Sequence, residues 1–394
     1  MTALSVVGGI YHEVCIWPAW DQVYGSAGRA AHAITGWIDK ISLITYRNRN
    51  SVLFEEWAKL EGIALMADES GPDISFRYVH SLSPPLIKPA LATLTPLAPL
   101  RVEAECVLRF GMLEGSAVVK ADRCVYDPQS AFMPEPFAKN GSQAQRLAIV
   151  GNRKEIVALA EGGTDWEASA RRLLTANVEV VVVKHGVGGA TVVQRTGTHH
   201  VPAYQTGDIF TIGSGDVFCA VFAAEWASQK KDPVAAAMRA SRAVAEYVQT
   251  MSLPLPKEFD ELPEAIAKDG MVYLAGPFFN LGQRWLVDEA RRCLKELGLR
   301  VFSPIHDGGG GPAEKVGPPD LEALDKCDLV FALIDGVDAG TLFEVGWARA
   351  REKPKPVYAL AQSVSEEDLK MVVGSGCRVF SDLVTALHHA AWRT

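Results

Sequence analysis

The sequence has no C-x-x-C pair, and its seven cysteines are scattered without a repeating spacing. That argues against a zinc framework and against a disulfide scaffold, and it fits a reducing, cytoplasmic setting. A basic excess is missing too: the formal net charge is −8, which leaves no electrostatic footprint for nucleic acid. A small anionic ligand stays open, because backbone dipoles and single cations can hold one. No stretch approaches the roughly 18 uninterrupted apolar residues of a membrane helix. The opening "MTALSVVGGIYHEVCIW" lacks a basic segment followed by a long apolar one, so neither a secretion signal nor a membrane partner is expected. Internal repeats are absent, and "DGGGGP" (Asp307 to Pro312) is the one low-complexity run.

What is present is a globular composition, 48% apolar and 22% charged. At 394 residues the chain exceeds one ordinary core and implies two or three domains. Short β-branched runs such as "VEVVVVKHG" (Val178 to Gly186) alternate with helical patterns such as "DVFCAVFAAEWASQ". That alternation predicts a parallel sheet with helices on both faces. "MSLPLPKEFDELPEAIAKDG" (Met251 to Gly270) interrupts it with three prolines and a charge cluster, the composition of a linker. Beyond it the alternation restarts, with a helix expected over Gln283 to Gly298. The expected division is residues 1–252, a linker at 253–269, and a second domain at 270–394.

Two stretches carry chemistry. In "TIGSGDVF" (Thr211 to Phe218), Gly213 and Gly215 let the backbone approach an anion at the start of a helix. Asp216 then lies where a carboxylate can take a proton from an attacking hydroxyl; the plainer alternative is that it caps the helix. In "DAGTLFEVGWARA" (Asp338 to Ala350), Glu344 sits among Leu342, Phe343, Val345 and Trp347. A buried, unpaired carboxylate costs several kcal/mol in typical proteins, so it is either paired or used. Two carboxylates about 5 Å apart at a sugar anomeric carbon perform retaining glycosyl transfer. Asp320 and Asp338 flank the strand ahead of Glu344, and each can also be read as a helix cap. His306, His199 and His200 have no third ligand at metal spacing, so no metal site is expected from them.

The first region resembles the ribokinase-type (PfkB) carbohydrate and nucleoside kinases. "GSGD" is similar to the family's Gly-Ala-Gly-Asp turn, "YDPQ" (Tyr126 to Gln129) to its Asp-Pro strand end, and "NRKE" (Asn152 to Glu155) to its Asn-x-x-Glu motif. "KHGVGGA" resembles the turn near the nucleotide, with Gly186 and Gly189, and "VGGIYHEV" the opening strand. The resemblance implies ATP and Mg2+ as cofactors, Asp216 as base, and Gly213, Gly215, Asn152, Glu155, Gly186 and Gly189 around the nucleotide. The sugar side departs from the pattern: "GSAGRAAHA" (Gly25 to Ala33) has no Asn, Glu13 stands for an Asp, and Phe210 replaces the Asp that opens the signature. An unusual acceptor, or nucleotide binding without turnover, would follow.

The second region resembles the nucleoside 2-deoxyribosyltransferases through "MVYLAGPFFNLGQRW", "DLEALDKCDLVFALID" and "DAGTLFEVGWA", in that order. The resemblance implies Glu344 as nucleophile, Asp338 on a sugar hydroxyl and Asp320 at the leaving base. It also implies Tyr273 orienting Glu344, and Gly276, Phe278 and Gln283 shaping the pocket. A homodimer or larger assembly, completed by Met371 to Gly376, is implied as well. The short separation of Asp320 and Glu344 is similar to the monophosphate-hydrolysing branch, whereas the Gly-Pro-Phe-Phe turn is similar to the transferases.

The expected fold is α/β in two domains. A ribokinase-like α/β/α parallel-sheet domain precedes a smaller Rossmann-like (flavodoxin-type) doubly wound domain. The expected function is nucleoside or nucleotide processing. Glycosidic cleavage or transfer would proceed through a covalent Glu344 adduct, and the first domain would phosphorylate a nucleoside or sugar with ATP. Two alternatives stand: a kinase-fold domain that senses a ligand and regulates the glycosidase, or hydrolysis of NAD or another nucleotide cofactor.

Overall fold

The computed structural model describes residues 2–129, 134–161 and 163–392. The chain divides into two compact units, Met1–Thr206 with Phe210–Ala265, and Gly207–Ile209 with Ile266–Thr394. Both are α/β. Among the described residues no helix is long and apolar enough to cross a membrane.

The first unit is built on a nine-stranded sheet. Its central members, Ala3–Val7, Lys40–Ile44, Leu100–Phe110, Ala117–Asp127, Gln143–Asn152 and Val178–Lys184, pair in parallel. Val6, Leu43, Val107, Val125, Val150 and Val182 are fully buried, as expected of strands covered on both faces. One side is covered by Gly25–Ala33, Ser214–Phe222 and Pro233–Thr250. The last of these starts cleanly because the Asp232 side chain caps two backbone N–H groups and Pro233 occupies the first turn. A separate four-stranded sheet contains His12–Trp17 and Ser75–His80.

Strict strand–helix alternation fails between Leu100 and Asn152, where the described residues hold one 3-10 turn, Phe137–Asn140, and no α-helix. Leu100–Phe110 pairs in parallel with Ala117–Asp127, from Leu100↔Ala117 to Phe110↔Asp127. A straight strand of that length spans about 35 Å, which the short connection Gly111–Ser116 cannot retrace at about 3.5 Å per residue. The strands therefore bend within their length, and the pairing skips Glu105 and Asp122. Leu100, Val102, Val107, Val119, Cys124 and Leu147 share one buried cluster; strand packs on strand where a helix was expected.

The segment expected as a linker is partly structured. Glu264–Ala265 pairs with Ala203–Tyr204, Leu255 joins the first core, and Phe259 packs against it. The first unit thus runs on to Ala265, beyond the anticipated boundary at residue 252.

The second unit is a five-stranded parallel sheet in the spatial order Arg300–Phe302, Met271–Ala275, Leu329–Leu333, Val357–Leu360, Arg378–Phe380. In chain order this is 2-1-3-4-5, the flavodoxin-like doubly wound arrangement, whose switch point lies between the first and third strands. The helix expected over Gln283 to Gly298 runs Leu281–Glu296, opened by a capping box between Asn280 and Gln283.

Candidate active sites

In the second unit the sheet's switch point gathers the predicted carboxylates. Tyr273 comes from the first strand, is fully buried, and donates its hydroxyl proton to Glu344 Oε1 at 2.5 Å. Glu344 is carried by the helix Ala339–Arg349, which follows the third strand. The expected enclosure of Glu344 by Leu342, Phe343, Val345 and Trp347 needs correction. Only Val345 is buried; Leu342 and Trp347 are half-buried, and Phe343 is 58% exposed. A helix lying on a sheet turns one face to it, so the desolvation of Glu344 comes from the sheet side. Burial pushes its carboxyl up to about 7; the Tyr273 hydrogen bond opposes this, and the charges of Asp320 and Asp338 add to it.

Asp338 is the helix cap: its Oδ2 accepts from the Thr341 N–H at 2.7 Å and the Thr341 hydroxyl at 2.8 Å. Capping uses one oxygen, so the cap and a ligand role are compatible. Asp320 lies within the helix Ala313–Lys326, not at its end, so the capping alternative fails for it. Its Oδ1 is buried with no hydrogen-bond partner among the described residues, and burial raises its carboxyl above the ordinary value. A buried carboxyl oxygen that faces no internal partner is placed to meet a leaving group. Gly276 fits because a side chain there would press on Leu333. Phe278 is half-buried against Phe279. Gln283 is committed elsewhere: its Oε1 accepts from the Phe279 and Asn280 N–H groups. It lines a small cavity of about 150 Å³ that Glu344, Asp320 and Asp338 do not reach.

In the first unit, Glu13, Arg29, Asp127, Gln129, Asn152, Glu155, Lys184, Gly213 and Asp216 line one cavity of about 800 Å³. Gly213 enters the helix Ser214–Phe222 in the left-handed region at φ 81°, which glycine adopts without strain. Asp216 makes no cap. Its Oδ1 accepts from Gln129 Nε2 at 2.6 Å and its Oδ2 from Arg29 Nη1 at 2.8 Å. Arg29 also donates twice to Glu13, and through Nε to the Tyr247 hydroxyl at 3.1 Å. Arg29 was not expected from the sequence; the available signal was a lone Arg inside the small-residue helix "GSAGRAAHA".

Asn152 and Glu155 form a capping box for the helix Arg153–Leu159. Glu155 accepts through Oε2 from the Asn152 N–H at 2.8 Å. Its carboxyl is pushed up to about 7 by burial and by the Asp127 charge, with Lys184 opposing. Lys184 Nζ donates to Asp127 Oδ2 at 2.7 Å and lies near Gly215. Two mutually repelling carboxylates, one retaining Oε1 without a donor among the described residues, fit a divalent cation. The Gly186–Gly189 turn does not line the cavity; a side chain at Gly189 would strike the Val201 carbonyl, so packing accounts for that glycine. Phe210 is buried with Cys15 and Ile212 and against Trp20, so the aromatic in place of the signature Asp serves a core.

Residues 115–258 match the profile of the pfkB family carbohydrate kinases, and residues 272–377 match that of nucleoside 2-deoxyribosyltransferase. Three solved structures illustrate the structural likenesses. A pyrophosphate-dependent kinase in the ribokinase family, complexed with a pyrophosphate analog and myo-inositol, is 16% identical, with TM-score 0.45, covering 64% of this chain and 97% of its own. Thermotoga maritima ribokinase is 18% identical, with TM-score 0.44 and coverages of 65% and 97%. Salmonella enterica aminoimidazole riboside kinase is 13% identical, with TM-score 0.46 and coverages of 63% and 94%. No curated protein matches.

Proposed function

We propose that the second unit cleaves or transfers the N-glycosidic bond of a (deoxy)nucleoside or its monophosphate through a covalent glycosyl-Glu344 intermediate. The observation that carries this is the buried Tyr273 hydroxyl holding Glu344 at 2.5 Å beside Asp320, whose buried oxygen has no partner among the described residues. Glu344 attacks the anomeric carbon as the carbon–nitrogen bond breaks. The bonding pair leaves with the base, which takes the Asp320 proton. Asp320, now ionised, accepts the proton of water or of a second base, whose oxygen or nitrogen displaces Glu344. Asp338 Oδ1 holds a sugar hydroxyl.

The first unit we read as the kinase half, with Asp216 taking the acceptor's proton and ATP as donor. Magnesium, when bound, would be held by Glu155 and Asp127 and would neutralise phosphate charge. One observation favours ligand sensing in its place: both Asp216 oxygens are already hydrogen-bonded inside the protein.

The glycosidic mechanism is tested with a 2-fluoro-substituted deoxynucleoside bearing a reactive base. Fluorine slows both steps and the good leaving group rescues only the first, so intact mass should rise by one glycosyl group, mapped to "TLFEVGWAR". Glu344→Gln should abolish the adduct and base release together. Asp320→Asn should slow release most for poor leaving bases. Undiminished release by Glu344→Gln would overturn the mechanism.

A further inference from the structure

Arg29 is 1% exposed, and the two carboxylates it bridges, Glu13 and Asp216, are 5% and 7% exposed. Its guanidinium lies over Gly213 so closely that a side-chain carbon there would collide with it. A cation of the protein itself therefore occupies the space beside the start of the Ser214–Phe222 helix and immobilises the candidate base. A neutral hydroxyl that displaces Asp216 leaves Arg29 with Glu13 as its one remaining anionic partner. With a ligand that brings its own anion, Arg29 exchanges one anionic partner for another and Asp216 Oδ2 is released. The released carboxylate lies in the first turn of the helix, where the backbone N–H groups favour negative charge.

We propose that Arg29 is the specificity-determining residue of this cavity. It selects a sugar or polyol bearing a phosphate or carboxylate over its neutral counterpart. The inference rests on the cavity being the ligand site of the first unit, and it holds whether or not phosphate is transferred.

The test is calorimetric titration of the full chain with ribose, ribose 5-phosphate and ribonate. At least one anionic probe should bind about tenfold or more tighter than ribose, and which one does so separates phosphate from carboxylate recognition. Arg29→Gln should remove that advantage, and Arg29→Lys should restore part of it. Glu13→Gln removes the carboxylate competing for Arg29 and should tighten the anionic probe without tightening ribose. Circular dichroism checks folding; if Arg29→Gln does not fold, the Glu13→Gln arm decides, and an unchanged anionic affinity there overturns the proposal. An anionic affinity indifferent to Arg29→Gln in a folded protein overturns it as well. Labelled ATP distinguishes the two ideas. Arg29-dependent binding without transfer removes the kinase assignment alone, whereas transfer to ribose as fast as to the anions removes this inference alone.

Discussion

Glu344 is pulled two ways: burial and neighbouring acids favour its neutral form, and the Tyr273 hydroxyl favours the anion. A nucleophile must be ionised, so base release should fall as pH drops through about 7. Tyr273→Phe removes that stabilising hydrogen bond, and the acidic limb of the pH–rate profile should move to higher pH. A hydrogen bond to a charged group contributes about 1.5–3 kcal/mol, so the rate near neutrality should drop roughly 10- to 100-fold. An unmoved limb in Tyr273→Phe would separate Tyr273 from Glu344. The same shift sets a stability trend. A carboxyl raised from 4.5 to about 7 binds more protons folded than unfolded, so its contribution is present at low pH and is lost as pH rises through about 7. Glu344→Gln mimics the neutral form and still accepts from Tyr273. It should melt higher than the parent at pH 8 and alike at pH 4, as scanning calorimetry would show.

Among the elements, the turn Pro304–Gly308 holds Asp320 in place by absence: a side chain on Gly308 would come within 2.5 Å of Asp320 Oδ1. The backbone there needs no glycine conformation, since Gly308 is not among the positive-φ glycines. Gly308→Ala should therefore fold normally while displacing the Asp320 carboxylate. The expected outcome is an unchanged melting temperature with base release slowed about tenfold for poor leaving bases and hardly at all for activated ones. Equal slowing of both would indicate a general distortion. The bent strands from Leu100 to Asn152 teach a different lesson. The bend is visible only once the parallel register and the short Gly111–Ser116 connection are set side by side.

For the whole molecule, two units imply two cores, and the chain passes between them on either side of Gly207–Ile209 and again after Ala265. Leu255, Phe259 and the Glu264–Ala265 pairing tie most of the proline-rich stretch to the first unit, whereas Ile266, Ala267, Lys268 and Asp269 are exposed. Limited trypsin digestion should cut first at Lys268 and leave two folded fragments. First cuts at Lys257, which sits in the ordered part of the stretch, would contradict this.

The sequence by itself determined the α/β class, and its resemblance to the deoxyribosyltransferases grouped Tyr273, Asp320, Asp338 and Glu344, which the second sheet brings near one another. What the tertiary structure decided depends on contacts between residues far apart in the chain. Arg29 meets Asp216 across 187 positions, and no periodicity records such a pair. Gln283 is drawn into a cap, Gly189 answers to the Val201 carbonyl, and Phe343 turns to solvent. In each case the residue type was legible, but the partner that gives it a role was supplied only by packing.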